Sequence, residues 1–485
     1  MAQFINCSIS KFKQFTAERK IYLYGAGRRC RKFLDEIPDL QIEAVIDTAK
    51  AAENTRFIYH GCEYRLITFE QALQECHTGC DIVITIMAYD EAETLINASP
   101  ELEYISYFIY TKMREWRAEN YAEQNRHNRI KRYQIVEDNG NSFNAGTKAP
   151  EDIIQIAGED GYQIIQVHMF SDTRSDWQAA LSSIQPSSYL LLQLPLKNPQ
   201  YTEDCIHVIT KLKEQKEIKL IVLFHDIESL RPIDFHTERL FAEQFFVKES
   251  DVIILHNQRM IDYLVKTDGA AQEKLLDLEI FDYLFHDKNT ASPRSNEMGK
   301  NNVIIAGNLS SEKNTYFLKL RETGIRRLYL YGSGGGSYLD EADNITYCGA
   351  YPPERLISVI VEGWGLIWGG DSITTCNGKE GEYLRYNNPH KLSFYLAAGM
   401  PVIIWEKAAQ AAFVQKYNVG ITVSSLFEVQ QKIDTLSREE YLIKCRNAQE
   451  ISTKLSAGYY MKHALYEAEE KLKDCEACKG GKVHF

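Results

Sequence analysis

The chain has 485 residues, of which 44% are hydrophobic and 25% charged, and its formal net charge is −12. That length sets an expectation of about three domains, and the acidic balance excludes a general nucleic-acid binder, which would carry a basic excess. No apolar run approaches the roughly 20 residues that span a bilayer, the opening MAQFINCSISKFKQF lacks the apolar core of a secretory leader, and 11 scattered cysteines fit free thiols of a cytoplasmic protein.

In chain order, residues 1–115 read as a Rossmann-like accessory domain. An apolar strand, KIYLY, runs into Gly25-Ala26-Gly27, then a helix, then a strand ending at Asp47. This is the pattern of a dinucleotide turn with an acidic residue about 20 positions on for a ribose hydroxyl, although Cys30 stands where the third glycine would be. Gly25, Gly27 and Asp47 are therefore candidates for a nucleotide site; the competing reading is a module whose glycines only make the tight turn. Residues 116–132, polar and locally basic, read as a linker helix.

Residues 133–290 alternate apolar strands (YQIVED, YQIIQVHMF, SYLLLQLPL, KLIVLFHDI, DVIILHN) with helical segments, the pattern of a parallel sheet covered on both faces. After the polar stretch HDKNTASPRSNEMGKNN a second such set occupies 303–436. Helices are expected over 437–474, and a loose tail, DCEACKGGKVHF in part, over 475–485. That tail holds one C-x-x-C and His484, half a zinc site at best. Two tandem Rossmann-like halves leave a cleft at the carboxyl ends of their strands, where ligands of such sheets bind.

One stretch carries more chemistry than the rest: YNNPHKLSFYLAAGMPVIIW, residues 386–405. Pro389 suits the first position of a helix, and Asn387 or Asn388 suits its N-cap. Leu392, Tyr395 and Leu396 make the buried stripe, and Gly399 followed by Pro401 ends the helix. Lys391 in the first turn opposes the helix dipole. Such a cation is understandable if an anion, most simply a phosphate, occupies the helix head in the working state; otherwise it is a solvated lysine beside an ordinary cap.

These segments together resemble a known group. HDIESLR (225–231), AGNLSSEKN (306–314), GLIWGGDSITTCNGKEGEY (365–383) and NNPHKLSFYLAAGMPVIIW, with NAGTKAPED (144–152) as a first loop, resemble the bacterial GT-B glycosyltransferases that comprise β-1,6-galactofuranosyltransferases and adhesin-glycan glucosyltransferases. The resemblance covers about residues 133–470. It implies an α/β fold of the GT-B kind, two Rossmann-like parallel-sheet halves facing a cleft, preceded here by a third, N-terminal Rossmann-like domain. It also implies an acceptor half (133–290) and a donor half (303–436).

For function the resemblance implies transfer of a hexosyl unit, galactofuranose or glucose, from UDP-galactofuranose or UDP-glucose to a lipid-linked or protein-linked glycan acceptor. Lys391 and Lys313 would neutralise the leaving diphosphate. Asn308, Tyr331, Tyr351, Asp371 and Asn388 would line the donor site, Asp371 on hydroxyls and the tyrosines on the uracil. Gly369 stands where the group usually has aspartate, which leaves the sugar open.

No D-x-D triplet occurs in the chain, so neither a metal nor another cofactor is expected. Retaining GT-B enzymes carry a pair of glutamates at positions that here are Tyr386 and Phe394, so inversion is expected. The base for direct displacement is sought among Asp226, His225, His168 and Asp172, with Thr147 and Lys148 on the cleft loop. The alternatives are a catalytically weak scaffold of transferase fold, or an NAD-dependent oxidoreductase acting through residues 1–115. A cytoplasmic protein follows, with peripheral contact at the inner membrane face, and a homo-oligomer, left open.

Overall fold

The computed structural model describes residues 2–5, 12, 16, 19–37, 40–52, 56–59, 61–76, 80–86, 89–110, 113, 130–138, 145–168, 181–196, 202–231, 237–285, 297–312, 314–335 and 344–480. The chain forms two compact units, residues 1–128 and 129–485.

The first unit is a six-stranded parallel sheet of β1 (Gln3–Phe4), β2 (Lys20–Tyr24), β3 (Ile42–Ile46), β4 (Leu66–Ile67), β5 (Cys80–Ile84) and β6 (Ser106–Ile109), in the order β1-β6-β5-β2-β3-β4. Alternation along the strands separates two cores. Tyr22, Ile46, Ile82 and Tyr107 lie in one, while Ile21, Leu23, Val45 and Phe108 lie in the other. A strand buried on both faces is what a sheet with helices on each side requires. Helix α1 (Arg28–Glu36) follows the Gly25–Gly27 turn at the switch point between β2 and β5.

The second unit holds two further six-stranded parallel sheets. The first comprises β7 (Arg132–Asp138), β8 (Gln163–His168), β9 (Tyr189–Leu194), β10 (Lys219–Phe224), β11 (Val252–Leu255) and β12 (Leu275–Asp277), in the order β8-β7-β9-β10-β11-β12. The second comprises β13 (Val303–Ala306), β14 (Leu328–Tyr331), β15 (Ile345–Tyr347), β16 (Trp364–Ile367), β17 (Val402–Trp405) and β18 (Gly420–Val423), in the order β15-β14-β13-β16-β17-β18. That second order is the Rossmann one, and its switch point lies between β13 and β16. The expected GT-B architecture is thus present.

Three expected boundaries move. Residues 116–129 of the expected linker helix lie outside the described residues, and Arg132 already belongs to β7. Helix α2 (Ala145–Glu159) begins before Pro150, which sits inside it, in its second turn, and forfeits one helical hydrogen bond there. The helices expected at the end are α6 (Arg438–Ser456) and α7 (Tyr459–Gly480), and α7 runs into the expected tail. Gly458, at φ +69°, makes the break.

Helix α7 ties the far end of the chain back to the first half of its unit. Arg132 on β7 donates to both carboxylate oxygens of Glu469, at 2.6 and 2.8 Å, and the Tyr162 hydroxyl donates to Glu469 Oε1 at 2.9 Å. Glu469 is wholly buried and Arg132 is 8% exposed. A planar guanidinium is the partner that satisfies two buried carboxylate oxygens at once. Arg132→Ala should therefore leave an uncompensated buried charge and cost about 3–5 kcal/mol. Urea unfolding followed by the fluorescence of Trp364, Trp368 and Trp405, all in this unit, checks it.

Candidate active site

The helix at the centre of the sequence argument is α5 (His390–Ala397), preceded by α4 (Gly378–Tyr383). Residues Leu392–Ala397 of α5 are all buried, so the helix is apolar all round and part of the core. It ends as expected: Gly399 is left-handed at φ +68°, its N–H bonds Leu396 O, and Met400 N–H bonds Tyr395 O. The Tyr395 hydroxyl accepts the Ala306 N–H at 2.8 Å and donates to Ile304 O at 3.2 Å, which locks α5 to β13. Gly365 on β16 makes room for that ring, since a Cβ there would lie 2.1 Å from it.

Locked in this way, the head of α5 stands at the β13/β16 switch point. Lys391 runs alongside Gly307, where an added Cβ would lie 3.1 Å from its Cε and 3.8 Å from its Nζ. Gly307 in turn is so close to Gly332, at φ +144°, that a Cβ on the latter would meet the Gly307 carbonyl. Lys391 is half-buried and has no hydrogen-bond or ion-pair partner among the described residues; burial lowers its pKa. The backbone N–H groups of His390 and Lys391 are likewise unpaired among the described residues. A desolvated ammonium and free helix-head N–H groups make an anion cradle.

The other expected donor residues divide. Asp371 is exposed in the loop after β16; its Oδ1 accepts the Thr315 hydroxyl at 3.1 Å. Asn308 follows β13, its side chain accepting the Ser310 N–H at 2.8 Å. Tyr351 is half-buried after β15, with the Arg355 guanidinium 5.7 Å from its ring centroid. Lys313 lies outside the described residues. Tyr331 is corrected to a core residue: it is 2% exposed and its hydroxyl accepts the Val361 N–H at 3.1 Å, so its ring offers no face to a base. Gly369 has room for a side chain, the nearest atom to an added Cβ being 3.4 Å away.

Asn388 is also corrected. Pro389 is the N-cap of α5, with no side-chain cap, and Asn388 bonds across the two halves instead. Its amide donates to His256 O at 2.5 Å and Glu279 O at 3.1 Å, and its Oδ1 accepts from Asn257 at 2.8 Å and from Gln410. Its own N–H donates to His256 Nδ1 at 2.9 Å. A residue before a proline is held extended, so Asn388 cannot curl back to cap and its side chain faces the other half.

In the first half, Asp226 follows β10. Its Oδ1 accepts the Tyr383 hydroxyl of α4 at 2.7 Å, and its Oδ2 accepts from Arg231 at 2.8 Å. Burial raises the Asp226 pKa and the Arg231 charge opposes that rise. The side chain is 30% exposed, so it is reachable from solvent. His225 is stacked on Phe281 at 5.3 Å, its Nε2 2.6 Å from Gln193 Oε1. Lys148 is corrected from a cleft-loop residue to a buried helical one. It lies within α2, paired with Asp152 and donating to Leu284 O at 2.8 Å, because the helix starts five residues before Pro150. The side chains of Thr147 and His168, and all of Asp172, lie outside the described residues.

In the first unit, Gly25 is required by the fold, with φ +103° and Ile86 within 2.1 Å of an added Cβ. Gly27 has open space and heads α1 without a side-chain cap. Both Asp47 oxygens serve the turn itself, Oδ2 accepting the Ala26 N–H at 3.0 Å and Oδ1 the Lys50 N–H at 3.2 Å.

Sequence reasoning missed Tyr383, His256, Asn257, Glu279 and Gln410, which join the halves. Only Asn257 had a local signal, as the N-cap of the helix Gln258–Asp268. Burial pushes the His256 pKa down to about 4, so the ring is neutral with Nδ1 as acceptor. A histidine whose native pKa is lowered contributes fully above the unfolded value near 6.5 and loses that contribution as pH falls toward 4. In an NMR titration its Cε1–H resonance, identified by its absence in His256→Gln, should stay flat from pH 8 to about 5 and move only below that.

The family models that match fall on the second unit. The N-terminal domain of the glucosyltransferase 3-like family matches residues 132–280, and the C-terminal domain of that family matches 303–468. The chain is similar to the β-1,6-galactofuranosyltransferase WbbI of Escherichia coli (strain K12), 31% identical over 344 residues, which is 68% of this chain and 96% of that protein. It is similar to glucosyltransferase 3 of Streptococcus gordonii, 26% identical over 66% of this chain and 92% of the relative. Glucosyltransferase 3 of Streptococcus parasanguinis is 22% identical over 70% and 98%. Among solved structures, a sucrose-phosphate synthase from Thermosynechococcus elongatus aligns with 71% of this chain and all of its own at 12% identity, with a TM-score of 0.49.

Proposed function

The chain belongs to the glucosyltransferase 3-like family, and from that premise we propose that it is an inverting hexosyltransferase that uses a UDP-sugar without a metal. That it is a glycosyltransferase of GT-B architecture follows from its family and sheets; the donor, the stereochemistry and the absence of a metal are the proposal. The donor is UDP-galactofuranose or UDP-glucose, and the acceptor a glycan.

The observation that carries the reading is Lys391, a half-buried ammonium without a partner among the described residues, at the head of α5 beside the Gly307 turn. A diphosphate leaving group gathers negative charge as the glycosidic bond breaks, and a preorganised cation with helix-head N–H groups stabilises that charge most where water is excluded. These groups take the part that a metal plays elsewhere. Asp371, exposed at the end of β16, is suited to accept hydroxyls of the donor. Asp226 is the base of choice. Its carboxylate stands at the end of β10, oriented by Tyr383 and Arg231, with lone pairs left to take the acceptor hydroxyl's proton. Direct attack from the first half on a sugar held by the second gives inversion.

Lys391→Ala should weaken UDP binding roughly 10–100-fold, the worth of a charge-assisted contact, with an unchanged thermal midpoint; titration calorimetry reads the affinity, and unchanged affinity would sink the cradle. Asp226→Asn should keep UDP affinity and lower turnover about 100-fold or more. Ligand-observed NMR on a mixture of UDP-glucose, UDP-galactofuranose and NAD tests the donor class. Uridine saturation is expected, whereas NAD saturation alone would favour the oxidoreductase reading.

A further inference from the structure

Glu380 is a carboxylate that the mechanism above does not use. It lies on α4, and α4 is fixed at both ends. At its start, the Asp371 N–H donates to the side chain of Asn377 at 3.0 Å, and a Cβ on Gly378 would lie 2.4 Å from the Asp371 carboxylate. One turn on, Gly381 sits against the Gly369 carbonyl, 3.0 Å from where its Cβ would be. The helix is therefore built onto the loop that follows β16. At its other end the Tyr383 hydroxyl reaches Asp226. Residues three apart share a helix face, so Glu380 is on the face that Tyr383 turns toward the first half.

We propose that Glu380 recognises the transferred sugar, accepting hydrogen bonds from its hydroxyls in the space between the diphosphate cradle at Lys391 and the base Asp226. The inference rests on the donor-site reading above and adds the group that reads the hexose. Glu380 is half-buried and makes no hydrogen bond or ion pair among the described residues. Its charge raises the pKa of Lys391, Arg231 and Asp226, so it lies within electrostatic reach of all three. A free carboxylate beside a phosphate site repels the phosphate, so the phosphates of the nucleotide do not explain it. A neutral ligand rich in hydroxyls does: each hydroxyl donates, and an ionised carboxylate is acceptor-only. In a transfer with the leaving group on Lys391 and the attacking hydroxyl on Asp226, the ligand lying between them is the sugar.

The test is calorimetry of the full chain and of Glu380→Ala and Glu380→Gln with UDP, UDP-glucose and UDP-galactofuranose, with thermal midpoints as the check on folding. The expected result for Glu380→Ala is a roughly 10-fold weaker grip on the UDP-sugar that the native chain prefers. UDP alone should bind as well as before or a few-fold tighter, because a repulsive charge is gone. Glu380→Gln, which keeps one acceptor, should recover part of the loss. A merely structural role for Glu380, or one on the ribose hydroxyls, would weaken UDP and UDP-sugar alike. That outcome, or variants equal to the native chain on all three ligands, overturns the proposal. If the native chain binds none of the three, the donor-site reading itself has failed.

Discussion

The architecture of the second unit depends on the short segment between its halves, residues 278–285, which belongs to neither sheet and is paired to nearly everything around it. Glu279 gives its carbonyl to Asn388 and Gln410, and its carboxylate to Lys416 at 3.0 Å and Tyr417 at 2.9 Å. The Phe281 carbonyl accepts the Ser393 hydroxyl of α5 at 2.7 Å, while its ring lies between His225 and His256. Asp282 accepts the N–H groups of Tyr460 and Met461, the orphan donors at the head of α7. Burial and the neighbouring Asp152 push that carboxyl up to about 8, against the pull of the two N–H groups. Leu284 closes the set through Lys148 and Asp152.

Buried polar groups are costly unless each finds a partner, and a network in which most do is specific about geometry. The strap therefore sets where α5 begins and where α7 begins, and through α7 it holds Arg132 and Glu469 in register. The anion cradle is a consequence. With Tyr395 anchored on β13 and Ser393 on Phe281, the first turn of α5 has no freedom to move away from Gly307, and Lys391 stays desolvated without a counter-ion. Tyr383 and Asp226 form a second connection between the halves. The cleft is thus bounded by two polar contacts, one structural and one that includes the proposed base.

The first unit shows how the same local pattern can be used differently. Its glycine turn and acidic residue match a nucleotide fingerprint, and the strand order puts the turn at a switch point. In the folded unit, however, Asp47 is drawn into the turn by the Ala26 and Lys50 N–H groups, and the Lys50 ammonium donates to the Ala26 carbonyl at 2.7 Å. The carboxylate that a ribose would need already accepts from the turn itself. The fingerprint depends on residue types at a spacing, and the spacing is equally that of a self-contained staple.

Much of the fold was legible in the residues alone. Strands such as KLIVLF and VIIL are continuous apolar runs, which only a doubly covered parallel sheet tolerates, and Gly399 before Pro401 ends α5 for reasons local to six residues. The long motifs from HDIESLR to PVIIW identified the family, and Lys391 stood out because it opposes its own helix dipole. What the sequence could not contain was the partner of each polar side chain. Asn388 could be a cap or a bridge, Tyr331 a stacking ring or core, Lys148 a loop cation or half of a buried pair. Partners distant in the chain decided each of these: Asn388 bonds His256, Lys148 bonds Leu284, and the Tyr331 hydroxyl accepts the Val361 N–H. Periodicity and capping are properties of neighbours along the chain and so can be read from it. The satisfaction of a buried donor or acceptor is a property of neighbours in space, and only the packed structure supplies them.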